Sequence, residues 1–164
     1  MVFPFPRMLY YVIFFGGTME GIIIKELKQF HDDRGWLVET FREDEIDFNP
    51  VMSYVSMTKP GIARGPHEHR EQSDYFCFFG NFRLYLWDNR PDSPTFGQHI
   101  FFDIKGRPHI AIVPPRIVHA YKNIGETDGL VINMPDRLYR GKDKTLPVDE
   151  TRYEDDPASP YRMD

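Results

Sequence analysis

The sequence predicts an all-β fold, an antiparallel barrel or sandwich, and three observations carry the prediction. Between residues 22 and 134 the apolar runs are short and rich in β-branched and aromatic residues. Turn residues separate these runs at regular intervals, and only 44–48 offers a helical turn. Within one run Phe82, Leu84 and Leu86 alternate with Arg83, Tyr85 and Trp87, the period of a strand with two different faces.

The predicted strands, in chain order, are 22–25, 36–41, 51–57, 75–79, 82–87, 98–103, 110–113, 118–123 and 130–134. The first opens just after Met19-Glu20-Gly21 and leaves an apolar edge that needs a cover. Gly80-Asn81 separates two runs by two residues, which predicts a tight hairpin with a glycine-first turn. Beyond Pro135 the chain turns polar and is punctuated by proline, so 141–164 reads as a charged tail lying along the surface.

With 164 residues the chain has the length of one domain, placed at 19–140 with the tail behind it. Twenty Lys+Arg against 25 Asp+Glu give a net charge of −5, and without a basic run this excludes non-specific nucleic-acid binding. One cysteine, Cys77, excludes an intrachain disulfide framework and fits a reducing, cytoplasmic compartment. Residues 1–18 form an N-terminal extension whose apolar run, Met8 to Phe15, is far shorter than the ~20 residues of a membrane span. The expectation is that Met19 is the biological start; the alternative is an extra edge strand or a dimer contact.

Three of the six histidines stand in an informative pattern. The segment Gly61-Ile-Ala-Arg64-Gly65-Pro-His67-Glu-His69 is followed by Glu71 and Asp74, and Pro114-Pro-Arg116-Ile-Val-His119 comes later. Residues two apart on a strand share a face, so His67 and His69 aim together, and His119 on a facing strand can meet them. Three imidazoles with one carboxylate, Asp74 or Glu71, make a ligand set for Fe, Mn, Ni or Zn. The alternative is a set of polar side chains lining a barrel mouth without metal, or buried histidines bonded to backbone. His31, His99 and His109 lack such a context and are expected at the surface.

This spacing resembles the two motifs of the cupins, HxH with an acid and then PxGxxHxxxN, and implies a cupin-type antiparallel jelly-roll barrel. Arg116 replaces the glycine of the second motif. More specifically, five pieces in order resemble the dTDP-4-dehydrorhamnose 3,5-epimerase family. They are Asp33-Arg34-Gly35, the segment from Gly61 to His67, Asp92-Ser-Pro-Thr-Phe-Gly97, the block from Pro114 to His119, and Tyr153-Glu-Asp-Asp-Pro157.

The resemblance implies an isomerase that takes a proton from beside the ketone of a nucleotide-linked 4-keto-6-deoxy sugar in polysaccharide biosynthesis. By the same resemblance His67 is the base, Arg34 and Glu39 contact the nucleotide, and Arg64 lies near the diphosphate; no cofactor is implied, and the assembly is a homodimer. An imidazole titrates near working pH, and a guanidinium pairs with phosphate oxygens bidentately. Departures from the family are equally informative. Ser73-Asp74 occupies the place of its enolate-holding lysine, and Ile132 that of its tyrosine acid. The aspartate that partners the family's histidine falls beyond Pro157 and has no match before Asp164. In their place stand His67, His69 and His119 with nearby acids, and Tyr139, Tyr121 or Tyr75 as substitute tyrosines. The related sugar 3,4-ketoisomerases also carry HxH on this fold without metal. Two further readings stay open: a metal-dependent cupin of other activity, and a non-catalytic sugar-nucleotide binder.

Overall fold

A computed structural model describes residues 19–164, and the expectations for the extension 1–18 lie outside the described residues. The first strands in the chain are β1 (Ile23–Glu26), β2 (Gln29–Asp32), β3 (Gly35–Val38), β4 (Tyr54–Thr58), β5 (Ala63–Glu68) and β6 (Asp74–Phe79). They are followed by β7 (Phe82–Asp88), β8 (His99–Ile104), β9 (His109–Val113), β10 (Ile117–Asn123), β11 (Gly129–Asn133) and β12 (Thr151–Arg152).

Two five-stranded sheets face each other, with orders β1-β9-β6-β11-β4 and β12-β5-β10-β7-β8, and β2-β3 form a separate hairpin. Every pairing is antiparallel. This is the jelly roll the sequence predicts.

Alternation along the strands builds three apolar layers. Phe76, Phe78 and Val131 from one sheet meet Phe82, Leu84, Leu86 and Tyr121 from the other in the central core. Each such side chain gains roughly 1.5–3 kcal/mol on burial. On the outer face of the first sheet, Tyr75, Cys77, Ile110 and Ile112 are covered by Val38, Phe41, Ile46 and Phe48. Outside the second sheet, Tyr85, Trp87, Val118 and Ala120 are covered by Tyr153, Tyr161 and Met163.

The segment 141–164 lies largely along the surface, as expected, with most of its residues exposed. Beyond that expectation, it adds β12 to the edge of β5 and packs three partly buried large side chains on the second sheet. Apolar residues spaced among acids hid this role.

One correction concerns Gly80-Asn81. The strands on either side do not pair; β6 lies in the first sheet and β7 in the second, so the two residues form a corner between sheets. Gly80 adopts φ 133°, a conformation that favours glycine, and a Cβ there would stand 3.1 Å from Gly129 Cα, a tight contact that would push the neighbour back by a few tenths of an ångström.

Expected strands 36–41 and 51–57 are shorter or shifted, as Gly35–Val38 and Tyr54–Thr58, while β2, β5 and β12 went unpredicted. No helix forms at 44–48; a single turn lies earlier, with Ile46 N donating to Arg42 O at 3.2 Å. His31 and His99 are exposed as expected, but His109 is buried, its Nδ1 bonded to Arg107 O at 2.9 Å. It sits on the central face of β9 beside Phe102.

Candidate active site

The site begins with a bulge in β5. Against β10, His67 lies opposite His119 and Arg64 opposite Tyr121, so two residues of β10 span three of β5. Register partners share a face, so Arg64 and His67, three apart, both point into the barrel; a regular strand would place them on opposite sides. Gly65 makes this possible. Its φ is 84°, and a Cβ there would come 2.6 Å from the carbonyl oxygen of His119.

Sequence spacing correctly brings His67, His69 and His119 together. Their ring centroids lie 4.5 Å apart for His67–His119, 5.6 Å for His67–His69 and 5.7 Å for His69–His119. His119 comes from the neighbouring strand of the same sheet, not from a facing one, because β10 pairs directly with β5. The residue from the facing sheet is Asp74, at the start of β6 and fully buried. Glu71, the other candidate carboxylate, is exposed and pairs with Arg137 at 3.3 Å.

Asp74 organises the cluster. Its Oδ1 accepts from Asn133 Nδ2 at 2.8 Å and Gln72 Nε2 at 2.9 Å. Its Oδ2 lies 3.1 Å from His69 Nε2 and 3.3 Å from His119 Nε2. These are ion-pair distances, but neither Oδ2 nor His119 Nε2 has an aligned hydrogen-bond partner. The far sides of both rings face carbonyl oxygens, His119 Nδ1 at 3.0 Å from Ile117 O and His69 Nδ1 against Asp149 O. A carbonyl only accepts, so both Nδ1 atoms carry the proton, and in the neutral rings both Nε2 atoms aim lone pairs at one carboxylate oxygen. A positive charge there relieves the arrangement.

The electrostatics follow. Burial alone pushes the Asp74 carboxyl up, yet His119 and His69 beside it hold it well below the usual carboxylate range. Burial opposes charge on His69 as well, but Asp74 wins and raises it to about 9. His67 goes the other way: burial, reinforced by the His119 and His69 rings, lowers it to about 2, so it stands as a neutral imidazole.

Two groups were invisible to sequence reasoning. Glu150, beside β12, brings Oε1 to 3.9 Å from His67 Nδ1, and its other oxygen accepts from Arg152 Nε at 2.8 Å. Its neighbour Asp149 accepts from the backbone N–H groups of Arg70, Glu71 and Gln72 at 2.9–3.1 Å and so fixes the turn carrying His69. The second group is Tyr54, on the inward face of β4, whose hydroxyl accepts from Asn133 Nδ2 at 2.9 Å. Its only sequence signal was a place inside an expected strand.

The substitute tyrosines fare differently. Tyr75 points outward and donates to Thr40 O at 2.9 Å, Tyr121 lies in the core with its hydroxyl 3.1 Å from Ser56 Oγ, and Tyr139 is exposed.

The expected nucleotide contacts are scattered. Arg64 is near the cluster but turned onto β4, donating to Met57 O at 2.9 Å and Thr58 Oγ1 at 3.2 Å. Arg34 sits on the exposed β2-β3 hairpin paired with Asp32 at 2.5 Å, and Glu39 follows the hairpin paired with Arg42 at 3.1 Å. In this chain neither is brought to the histidines by any described contact.

Among the described residues, His67, His69 and His119 offer nitrogen atoms within 4.8 Å of one another, a group able to hold a metal ion. With Asp74 the donors suit Fe, Mn, Ni or Zn.

Comparisons with known proteins agree with one another. The family described as dTDP-4-dehydrorhamnose 3,5-epimerase matches residues 17–154. The probable low-salt glycan biosynthesis epimerase of Haloferax volcanii is 39% identical over 131 residues, 77% of this chain and 84% of the relative. A spore coat polysaccharide biosynthesis protein of Bacillus subtilis is 29% identical over 139 residues, 80% of this chain and 91% of the relative. The solved structure of a dTDP sugar isomerase from Desulfovibrio desulfuricans superposes with a TM-score of 0.76 at 23% identity, covering 88% of this chain and 91% of that one.

Proposed function

Because the chain belongs to the dTDP-4-dehydrorhamnose 3,5-epimerase family, we propose that it is an epimerase or isomerase of nucleotide-linked 4-keto-6-deoxy sugars in polysaccharide biosynthesis. The observation that carries this is the placement of His67: a partly accessible imidazole inside the barrel, with Glu150 Oε1 3.9 Å from its Nδ1. A ring nitrogen of His67 takes the proton beside the ketone, and the electron pair moves through the new C=C bond onto the ketone oxygen. Glu150 stabilises the imidazolium that results, the role the sequence left unfilled.

The remaining charge logic is compatible with an enolate. An anionic Asp74 in place of a lysine would disfavour a second negative charge, but the raised His69 offsets it. Arg64, three residues from the base on the same inward face, is within reach of a diphosphate once it leaves Met57 O and Thr58 Oγ1.

The chain works as a homodimer. On the outer face of β4 and β11, Val55, Met57 and Leu130 are 63%, 44% and 46% exposed, and Leu130 pairs with Met57 in register. A second copy covering apolar surface there, and bringing the hairpin of Arg34 toward a neighbouring site, accounts for both observations. Free, buried Cys77 suits the cytoplasm, and among the described residues no helix is long and apolar enough to cross a membrane.

The test is incubation with dTDP-4-keto-6-deoxyglucose and its UDP and GDP counterparts in deuterated water. Deuterium enters at a carbon beside the ketone, and His67→Asn abolishes it. No exchange with any of these sugars, or full exchange by His67→Asn, overturns the proposal.

A second reading is favoured by the two Nε2 atoms aimed at Asp74 Oδ2. His67, His69, His119 and Asp74 would hold a divalent cation, which supplies Lewis-acid chemistry when bound. Stoichiometric Fe, Mn, Ni or Zn in the purified protein, lost in His69→Ala, selects this reading over the first.

A further inference from the structure

Inverting a carbon needs a proton taken on one face and returned on the other, so the wall opposite His67 is where a donor must stand. His67 is on β5 in one sheet; β4, at the edge of the facing sheet, presents Tyr54, Ser56 and Thr58 inward and Val55 and Met57 outward. Ser56 is tied to Tyr121, and Thr58 is buried and receives Arg64. Tyr54 differs. The residue is 48% exposed, and its hydroxyl is held by Asn133 Nδ2 at 2.9 Å.

An amide nitrogen only donates, so the phenol oxygen is the acceptor and the phenolic proton is not spent on that bond. The other N–H of Asn133 is fixed by Asp74 Oδ1 at 2.8 Å, which locks the amide and through it the hydroxyl. Tyr54 is register partner of Asn133, so strand pairing itself sets this geometry.

We infer that Tyr54 is a further catalytic residue of the proposed reaction, the acid that protonates the enolate from the wall facing His67. Burial, together with the charges of Asp74 and Glu150, pushes the phenol up to about 12, so it enters each cycle protonated. When His67 has removed the proton, the enolate oxygen pair re-forms the carbonyl and the carbon takes the proton of the Tyr54 O–H. The phenolate then regains a proton from water as the imidazolium releases one, so the net change is inversion alone.

This inference rests on the proposed function, and one experiment separates the two. Wild type and Tyr54→Phe are incubated with dTDP-4-keto-6-deoxyglucose and its UDP and GDP counterparts in deuterated water, and exchange and epimer formation are followed separately by NMR. Without its acid, the variant still lets His67 remove and return the proton on one face. Deuterium therefore enters the starting epimer at a rate within about threefold of wild type, while new epimer forms about 100-fold more slowly, the usual scale of general acid catalysis. Epimer formation at the wild-type rate in Tyr54→Phe overturns the inference and leaves the proposed function standing. Equal loss of exchange and inversion, with unchanged near-UV circular dichroism, overturns it too. No exchange by wild type overturns both.

Discussion

The Nε2 atom of His69 lies 3.1 Å from Oδ2 of Asp74, a carboxylate with no exposed surface. Of the two candidate acids, Glu71 and Asp74, only Asp74 stands at the cluster, and it reaches across from the opposite sheet. The pair fixes both the charge of the cluster and the direction of the His69 ring.

Removing either partner strands the other in a buried site. Asp74→Asn lowers unfolding stability by about 3 kcal/mol, the usual cost of breaking a buried charge pair. In a double-mutant cycle with His69→Gln, the coupling is about 1–3 kcal/mol. Chemical denaturation of the four proteins measures it; additive losses would mean that the two side chains do not act as a pair.

Glu150 is predicted to support His67 without being needed for the fold. Glu150→Gln keeps the shape and the position beside Arg152 but removes the charge 3.9 Å from His67 Nδ1. Turnover falls about tenfold or more with KM little changed, because the imidazolium forms only as the proton is transferred. Steady-state kinetics decide; an unchanged turnover number assigns Glu150 to structure alone.

Gly65→Ala tests the bulge. At φ 84° an L-residue is strained by roughly 1–2 kcal/mol. The added methyl carbon would also sit 2.6 Å from His119 O, so β5 and β10 must separate between Arg64 and His67. The expected result is a thermal midpoint lower by several degrees and loss of most activity, read by calorimetry and the exchange assay.

Acid sensitivity follows from Asp103. Arg83 donates to its two oxygens at 2.6 and 3.0 Å and Lys105 at 2.9 Å, and these partners lower it from 3.8 to about 2. A carboxylate depressed in the folded state adds stability that is fully present above its unfolded value and is lost as pH falls through about 2. Between pH 5 and 2 the midpoint of wild type therefore falls more steeply than that of Asp103→Asn. Parallel slopes would count against the pair.

Much of this site was legible along the chain. The alternation of Phe82, Leu84 and Leu86 with Arg83, Tyr85 and Trp87 is the two-faced strand now seen between the core and the outer layer. The HxH spacing placed His67 and His69 together, and Asp74 was named among their partners. Period and residue type are local properties, and a strand displays them wherever it ends up.

Other features had no local signature. Gly80-Asn81 looks the same whether it closes a hairpin or turns a corner; the choice was made by β6 pairing with β9 and β11 while β7 paired with β8 and β10. Glu150 is one of many acids in a polar segment until β12 docks on β5 and sets it beside His67. Tyr54 reads as one more strand aromatic until Asn133 and the facing sheet give its hydroxyl a partner and a direction. By itself, then, the sequence determined the strand period, the family and the grouping of His67, His69 and His119. Only the tertiary structure decided which carboxylate lies beside His67 and which phenol stands on the facing sheet, because pairing and hydrogen bonds between distant strands, not neighbours in sequence, bring those groups into place.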